Sequence, residues 1–178
     1  LRSKAIALTV GVSGVGLIGV FSVFTSSIAS VAGWGLGTAG VRVIASAEEQ
    51  YKPSKTAAVR RLGGILSGIG LILSLALFWP AGVMTFGSEE YMLELSIVGL
   101  AVPCIIASSA WSAILQASGS VKHLAKIQIL GAIAGLVLGL PAIYYLDSVG
   151  IALSVLFAAA VTAAALWWTA TKLSPQNI

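Results

Sequence analysis

From Ala5 to Val41 the chain carries no charged residue. Further uncharged runs extend from Leu62 to Ser88, Leu95 to Val121, Ile127 to Leu146 and Ser148 to Thr171. The hydrocarbon core of a bilayer is about 30 Å thick and takes roughly 20 residues of helix to cross. Each run supplies that length. A soluble domain carries about 25% charged residues, whereas this chain has 9% charged and 58% hydrophobic residues. Six acidic and ten basic side chains in 178 residues cannot clothe a water-facing surface. The apolar content excludes disorder, and twenty glycines without a period of three exclude collagen. A single cysteine, Cys104, excludes a disulfide framework and a cysteine-based zinc cluster. The solvent for most of this chain is lipid.

The glycine density of Gly11–Val12–Ser13–Gly14–Val15–Gly16 reads as a tight turn. It divides the first run into the tail of one helix, 1–10, and a second long helix, 14–45, that protrudes into water. The remaining spans are 62–81, 92–115, 126–146 and 149–171. Residue 1 is Leu, and the basic start leads into further spans, so the chain is read as beginning inside a helix rather than at a signal peptide. The expectation is an all-α membrane protein, a polytopic helix bundle forming a single transmembrane lobe over 1–178 with a partial first helix.

The net charge of +4 would suggest nucleic acid in a soluble protein. Here the basic residues mark topology, and no nucleic-acid partner is expected. Arg42, Lys52, Lys55, Arg60 and Arg61 lie between the second and third helices, Lys122 and Lys126 between the fourth and fifth, and Lys172 after the sixth. These are alternate connections, so they share one side, and the positive-inside rule makes it cytoplasmic. Loops 46–61 and 116–125 and the C-terminus are therefore assigned to the cytoplasm. The opposite connections hold Glu89, Glu90, Glu94 and Asp147, with no Lys or Arg. Trp79, Tyr144 and Tyr145 fall near outer ends and Trp167 and Trp168 near an inner one, as amphipathic rings prefer. Trp34 and Trp111 are assigned to packing between helices.

Gly131, Gly135 and Gly139 recur every four residues, and Gly33/Gly37 and Gly64/Gly68 repeat the interval. Such spacing lets helix backbones approach where lipid gives no hydrophobic drive for association. These glycines are read as packing or hinge positions. Pro103 should kink the fourth helix, Pro80 marks the outer end of the third, and Pro141 lies in the last turns of the fifth.

Little covalent chemistry is available. His123, the single histidine, sits beside Lys122 without clustered ligands, and there is no nucleophile–base motif or phosphate loop. The chain is not read as an enzyme, and no metal site is expected. The spans hold no mid-membrane acid; Glu94 and Asp147 fall at interfaces. Arg2 and Lys4 are the ionisable groups best placed for an intramembrane role. With a turn at Gly11, Arg2 lies about 13 Å inward along the helix, where its forked donors suit phosphate. Arg42, Arg60 and Arg61 sit at the inner mouth of the same cavity and complete the candidate substrate contacts, in a field that attracts anionic lipid-linked ligands.

Four segments in order carry a resemblance. Arg2-Ser-Lys-Ala-Ile-Ala-Leu-Thr-Val-Gly-Val-Ser-Gly-Val-Gly-Leu17 resembles the end of the first helix and following turn of polysaccharide flippases, the O-antigen and exopolysaccharide transporters. Gly33-Trp-Gly-Leu-Gly-Thr-Ala-Gly-Val-Arg42 resembles the end of their second helix, Gly119-Ser-Val-Lys-His-Leu-Ala125 their loop entering the fifth, and Gly150-Ile-Ala-Leu153 the start of the sixth. The first turn departs from the family's common Gly-Pro-x-Gly. The superfamily also contains multidrug and toxin extrusion (MATE) proteins and lipid II flippases, and its members usually have twelve to fourteen helices.

The resemblance implies the first six-helix lobe of a MATE-like flippase, working with a C-terminal lobe. Its implied substrate is an undecaprenyl-pyrophosphate-linked oligosaccharide repeat unit, flipped by alternating access across a bacterial or archaeal cytoplasmic membrane. In lipid II flippases an arginine matching Arg2 lines the cavity and is thought to meet the pyrophosphate. Membrane lipid and a polysaccharide polymerase are implied partners. No organic cofactor is implied, and proton or sodium coupling is compatible with the family. The alternatives are a multidrug exporter of the same superfamily and a small structural or assembly membrane protein.

Overall fold

A computed structural model describes residues 11–86 and 91–173. The described helices are α1 (Gly11–Gly33), α2 (Leu36–Ala45), α3 (Lys52–Phe86), α4 (Met92–Gly99), α5 (Ala101–Ala117) and α6 (Val121–Leu173). A 3-10 turn, Glu49–Tyr51, leads into α3. Among the described residues there is no strand.

The longest helical stretch reveals the packing rule. A straight helix of 53 residues would be about 80 Å long, yet Gly131 faces Thr162, Gly135 faces Ala158 and Gly139 faces Ser154. These pairings belong to two antiparallel legs, and Gly150 lies against the backbone of Ala142 at the reversal. The α6 segment is therefore a helical hairpin, with legs Val121–Leu146 and Ser148–Lys172. The glycine face lets the legs close: a methyl group on Gly139 would stand 2.7 Å from Ser154 Cβ.

The helix breaks have local causes. The α1–α2 junction turns on Trp34 and Gly35, both left-handed, with φ of 41° and 68°. Glycine accepts this conformation freely; tryptophan does not. Pro103 occupies the third position of α5, where its ring would collide with the carbonyl of Gly99, four residues back. The helix breaks there, and α4 and α5 form one bent crossing. After α5, Gly119 is left-handed, its N–H donates to Gln116, and the Ser120 N–H donates to Leu115. That Schellman-type closure satisfies the last carbonyls and turns the chain into α6.

Several expected boundaries differ. The single helix expected over 14–45 is split at Trp34–Gly35, and α3 begins at Lys52 rather than at 62. Gly11–Gly16 is helical, not a turn; in lipid a backbone that leaves the helix loses hydrogen bonds it cannot replace. Pro80 lies inside α3, which continues to Phe86. The first-helix tail, 1–10, lies outside the described residues.

Apolar layers stack along the bundle. At one end Phe21, Leu95, Val98, Ile143 and Ile151 pack together. In the middle Ile28, Ala32, Val102 and Ile106 meet. At the other end two clusters form, one from Leu36, Ile44, Val59, Ala110 and Ile114 and one from Leu115, Ile127, Leu166 and Ala170. The α4–α5 crossing is the most buried span and touches α1, α2, α3 and α6. Trp111 packs between the last two clusters, whereas Trp34 is 87% exposed.

The outer surface is greasy. Ile65, Ile72, Leu77, Ile129 and Val137 are all exposed, a pattern suited to lipid contact rather than water. Five described spans are long and apolar enough to cross a bilayer. The molecule is an all-α, multi-pass membrane bundle.

Candidate functional site: a basic rim beside a serine-lined groove

The basic rim grows out of α2 and the first turns of α3. Leu36, Gly40 and Ile44 recur every four residues and are buried on one face of α2. Gly40 allows the approach of Val59 on α3, whose Cγ1 would stand 3.2 Å from an added methyl group. Arg42 projects from the uncovered face and is exposed. Arg60 and Arg61 follow Val59 and are also exposed. Successive helical positions diverge by about 100°, and the two arginines line different hollows. Arg60 borders one of about 240 Å³ with Pro53, Thr56, Trp111 and Thr171. Arg61 borders another of about 440 Å³ with Ser54, Leu62 and Ile65.

Lys52 pairs with Glu49, while Arg42, Arg60 and Arg61 have no acidic partner among the described residues. Lys122, His123 and Lys126, at the start of α6, are exposed at the same end of the bundle. So is Lys172, whose ammonium lies 4.0 Å from the Trp168 ring centroid, a cation–π contact. The arrangement is a spread of cations, Lys52 and Lys172 with local partners, rather than a converging pocket.

Next to this rim the α1–α2 break opens a groove of about 410 Å³ against α5. Ser26, Ser30, Gly33, Gly37 and Ser109 contribute to its wall. Ser109 Oγ donates to the Ile106 carbonyl at 2.7 Å, and Ser26 Oγ to that of Val23 at 3.1 Å. Each hydroxyl thereby spends its proton on its own helix and keeps acceptor capacity toward the groove. The interrupted ladder at Gly33 also leaves terminal carbonyls of α1 without intrahelical donors. The groove can hold a molecule with hydrogen-bond donors, such as a hydroxyl-rich group. The serines were not legible as a site in the sequence, because in a membrane helix most such hydroxyls simply back-bond.

The other sequence candidates separate. Gly131, Gly135 and Gly139 are buried in the α6 hairpin. Gly33 and Gly37 are in ordinary contact with Ile106 and Ser109. Gly64 and Gly68 face open space, and the glycines of α3 that meet α5 are Gly63 and Gly70. Pro103 stands at the α4–α5 bend. Arg2, Lys4, Glu89 and Glu90 lie outside the described residues, and the depth assigned to Arg2 loses its reference point because Gly11 is helical.

The sequence places Glu94 at an interface; it stands in the first turn of α4, at the end of a span, and its side chain is 5% exposed. Its partner, Ser148, drew no attention in the sequence. Ser148 Oγ donates to Glu94 Oε1 at 2.6 Å, joining segments 54 residues apart.

Comparison with known proteins gives no match to any family model, curated protein or solved structure.

Proposed function

We propose that this chain is the first lobe of a flippase for undecaprenyl-pyrophosphate-linked oligosaccharide repeat units. The observation that carries the reading is the one-ended distribution of cations: Arg42, Arg60, Arg61, Lys122, Lys126 and Lys172 are all exposed at the same end of the bundle. On the positive-inside rule that end is cytoplasmic. A pyrophosphate-linked lipid made on the cytoplasmic leaflet would meet it first, and guanidinium groups hold phosphate oxygens through paired N–H donors.

The groove supports the same reading. Its serine hydroxyls suit sugar hydroxyls, while the apolar exterior leaves the prenyl chain in lipid. The bend at Leu100 within the α4–α5 crossing, and the turn at Trp34–Gly35 between α1 and the short α2, are the pivots this alternating-access scheme uses. No bond is made or broken in this scheme, so the protein acts as a carrier. A C-terminal lobe would close the cavity, and a polysaccharide polymerase would receive the product.

The test is outer-leaflet delivery of a prenyl-linked repeat unit by the full-length protein that carries this sequence. Arg42→Ala, Arg60→Ala and Arg61→Ala should each reduce delivery at unchanged membrane abundance, and the triple variant should abolish it. Undiminished delivery by the triple variant overturns the assignment of the rim.

One observation favours a second reading. Glu94 places an acid inside the bundle, and exporters of cationic amphiphiles require acidic groups. Drug-resistance conferred by the full-length protein, without glycan delivery, would select that alternative.

A further inference from the structure

Of the two hollows beside the basic rim, one is walled by three helices. Thr56 and Arg60 of α3, Trp111 of α5 and Thr171 of the second α6 leg all line the Arg60 hollow. The Arg61 hollow is lined by α3 alone among the described residues, so a group placed there has nothing opposite it.

The donors of the Arg60 hollow are unspent. Thr56 and Arg60 are four residues apart on α3, so their side chains stand one above the other on one helix face. Thr25, Thr38, Thr162, Thr169 and Thr171 each donate to a carbonyl three or four residues back. The half-buried Thr56 makes no such bond and has no other partner among the described residues. The indole N–H of half-buried Trp111 is likewise without one, although a buried indole N–H usually finds an acceptor. Thr171 differs: its hydroxyl donates to the Trp168 carbonyl at 2.9 Å and so keeps acceptor capacity.

No acid of the chain is left to answer Arg60. Glu49 pairs with Lys52, and Glu48 accepts from the Gln50 amide at 3.3 Å. The remaining acids, Glu89, Glu90, Glu94 and Asp147, belong in sequence to the connections at the opposite end. The hollow also lies at the level of lipid headgroups, just before the uncharged run of α3 begins at Leu62 and beside Lys172 at the end of the second α6 leg.

A fixed positive charge with two further donors calls for an anion that offers several oxygens, and a guanidinium fork suits phosphate. The volume of about 240 Å³ is below the roughly 300–1,000 Å³ that encloses a drug-sized ligand, so the hollow takes a headgroup and not a sugar repeat unit. Ala57, Ile114 and Ala170 complete its wall with apolar surface, and further along α3 the exposed Ile65, Ile69 and Ile72 suit acyl chains. Basic pockets between transmembrane helices are sites of this kind. We propose that the Arg60 hollow binds the headgroup of an anionic glycerophospholipid. Arg60, Thr56 and Trp111 donate to the phosphate oxygens, and Thr171 accepts from a headgroup hydroxyl. A choline headgroup carries the same phosphate, but its ammonium cancels the charge and it has no hydroxyl. The bound lipid ties α3, α5 and the second leg of α6 together at this end. The assignment stands apart from the flippase reading, which draws on the rim as a whole.

Native mass spectrometry of the delipidated full-length protein, titrated with phosphatidylglycerol or phosphatidylcholine, tests it. The wild type should hold its first phosphatidylglycerol more tightly than phosphatidylcholine. Arg60→Ala should weaken that first binding about tenfold or more, as loss of a charge-assisted hydrogen bond does, and Thr56→Val about two- to tenfold. Arg61→Ala should leave it near the wild-type value. Thr56→Val keeps the shape of the side chain and keeps the proposal falsifiable if Arg60→Ala does not fold. Wild-type affinity in either variant overturns the site. So does an equal loss in Arg60→Ala and Arg61→Ala, which would mean diffuse attraction of the rim for anionic lipid, or equal affinity for the two lipids. Displacement of the lipid by inorganic phosphate alone overturns the lipid assignment in favour of a free anion, and displacement by equimolar undecaprenyl pyrophosphate does so in favour of cargo. None of these readouts depends on glycan delivery.

Discussion

Gly135 faces Ala158 across the α6 hairpin so closely that a methyl group on the glycine would stand 2.9 Å from the alanine Cβ. Helices in lipid gain their association from this kind of backbone proximity. Gly135→Leu should therefore wedge the legs apart. Overpacking of a tight contact costs about 1–3 kcal/mol, which for a chain of this size corresponds to roughly 2–12 °C in unfolding midpoint. The check is the fraction of detergent-solubilised protein that stays monodisperse after heating.

Two adjacent glycines on α3 give a matched comparison. A methyl group on Gly63 would stand 2.5 Å from Ala110 Cβ, whereas one on Gly64 meets nothing. Gly63→Ala should destabilise the α3–α5 contact by about 1–3 kcal/mol. Gly64→Ala should be neutral or stabilising by up to about 1 kcal/mol in the lobe, because alanine favours helix over glycine. The same thermal assay applied to both distinguishes a packed glycine from an outward one. A destabilised Gly64→Ala in the full-length protein would instead reveal a partner on that face.

The same pair shows where sequence reasoning reached its limit. The uncharged runs made the spans legible, because lipid punishes a charge at almost any position along a crossing helix. A four-residue glycine interval says only that one face is small. Which face meets a neighbour depends on helix rotation, so Gly64 and Gly68 read the same as Gly135 and Gly139. The hairpin glycines found partners because the short reversal near Asp147 forces the two legs together. The burial of Glu94 was hidden for a related reason: its distance from a span end sets its depth, but only the packing of α4 on the hairpin turns it inward. The arginines of the rim were visible as charges, while their divergence into separate hollows was not.

Trp34 holds a left-handed backbone with its indole almost wholly exposed. A left-handed non-glycine residue costs about 1–2 kcal/mol. Trp34→Gly and Trp34→Ala both remove the indole, but only the glycine relieves the backbone. The glycine variant should be the more stable by about 1 kcal/mol. Equal stability of the two in thermal unfolding would mean that the α1–α2 break does not depend on the left-handed turn.

The two ends of the bundle can be assigned to opposite sides of the membrane by chemical labelling. Cys104 is the single thiol of the chain, so Cys104→Ala provides a clean background. His123 is exposed in the first turn of α6, among Lys122 and Lys126, and Tyr144 is exposed near the reversal at the other end. The hairpin leg between them is apolar and long enough to cross the bilayer, so cysteines at these two positions cannot share a side if it spans. With the basic end cytoplasmic, Tyr144→Cys should react with a membrane-impermeant maleimide in intact cells. His123→Cys should react only after permeabilisation. The reverse pattern would invert the topology, move the cationic rim away from a cytoplasmic lipid-linked substrate and remove the main support for the flippase reading. Labelling of both in intact cells would mean that the leg does not cross the bilayer at all.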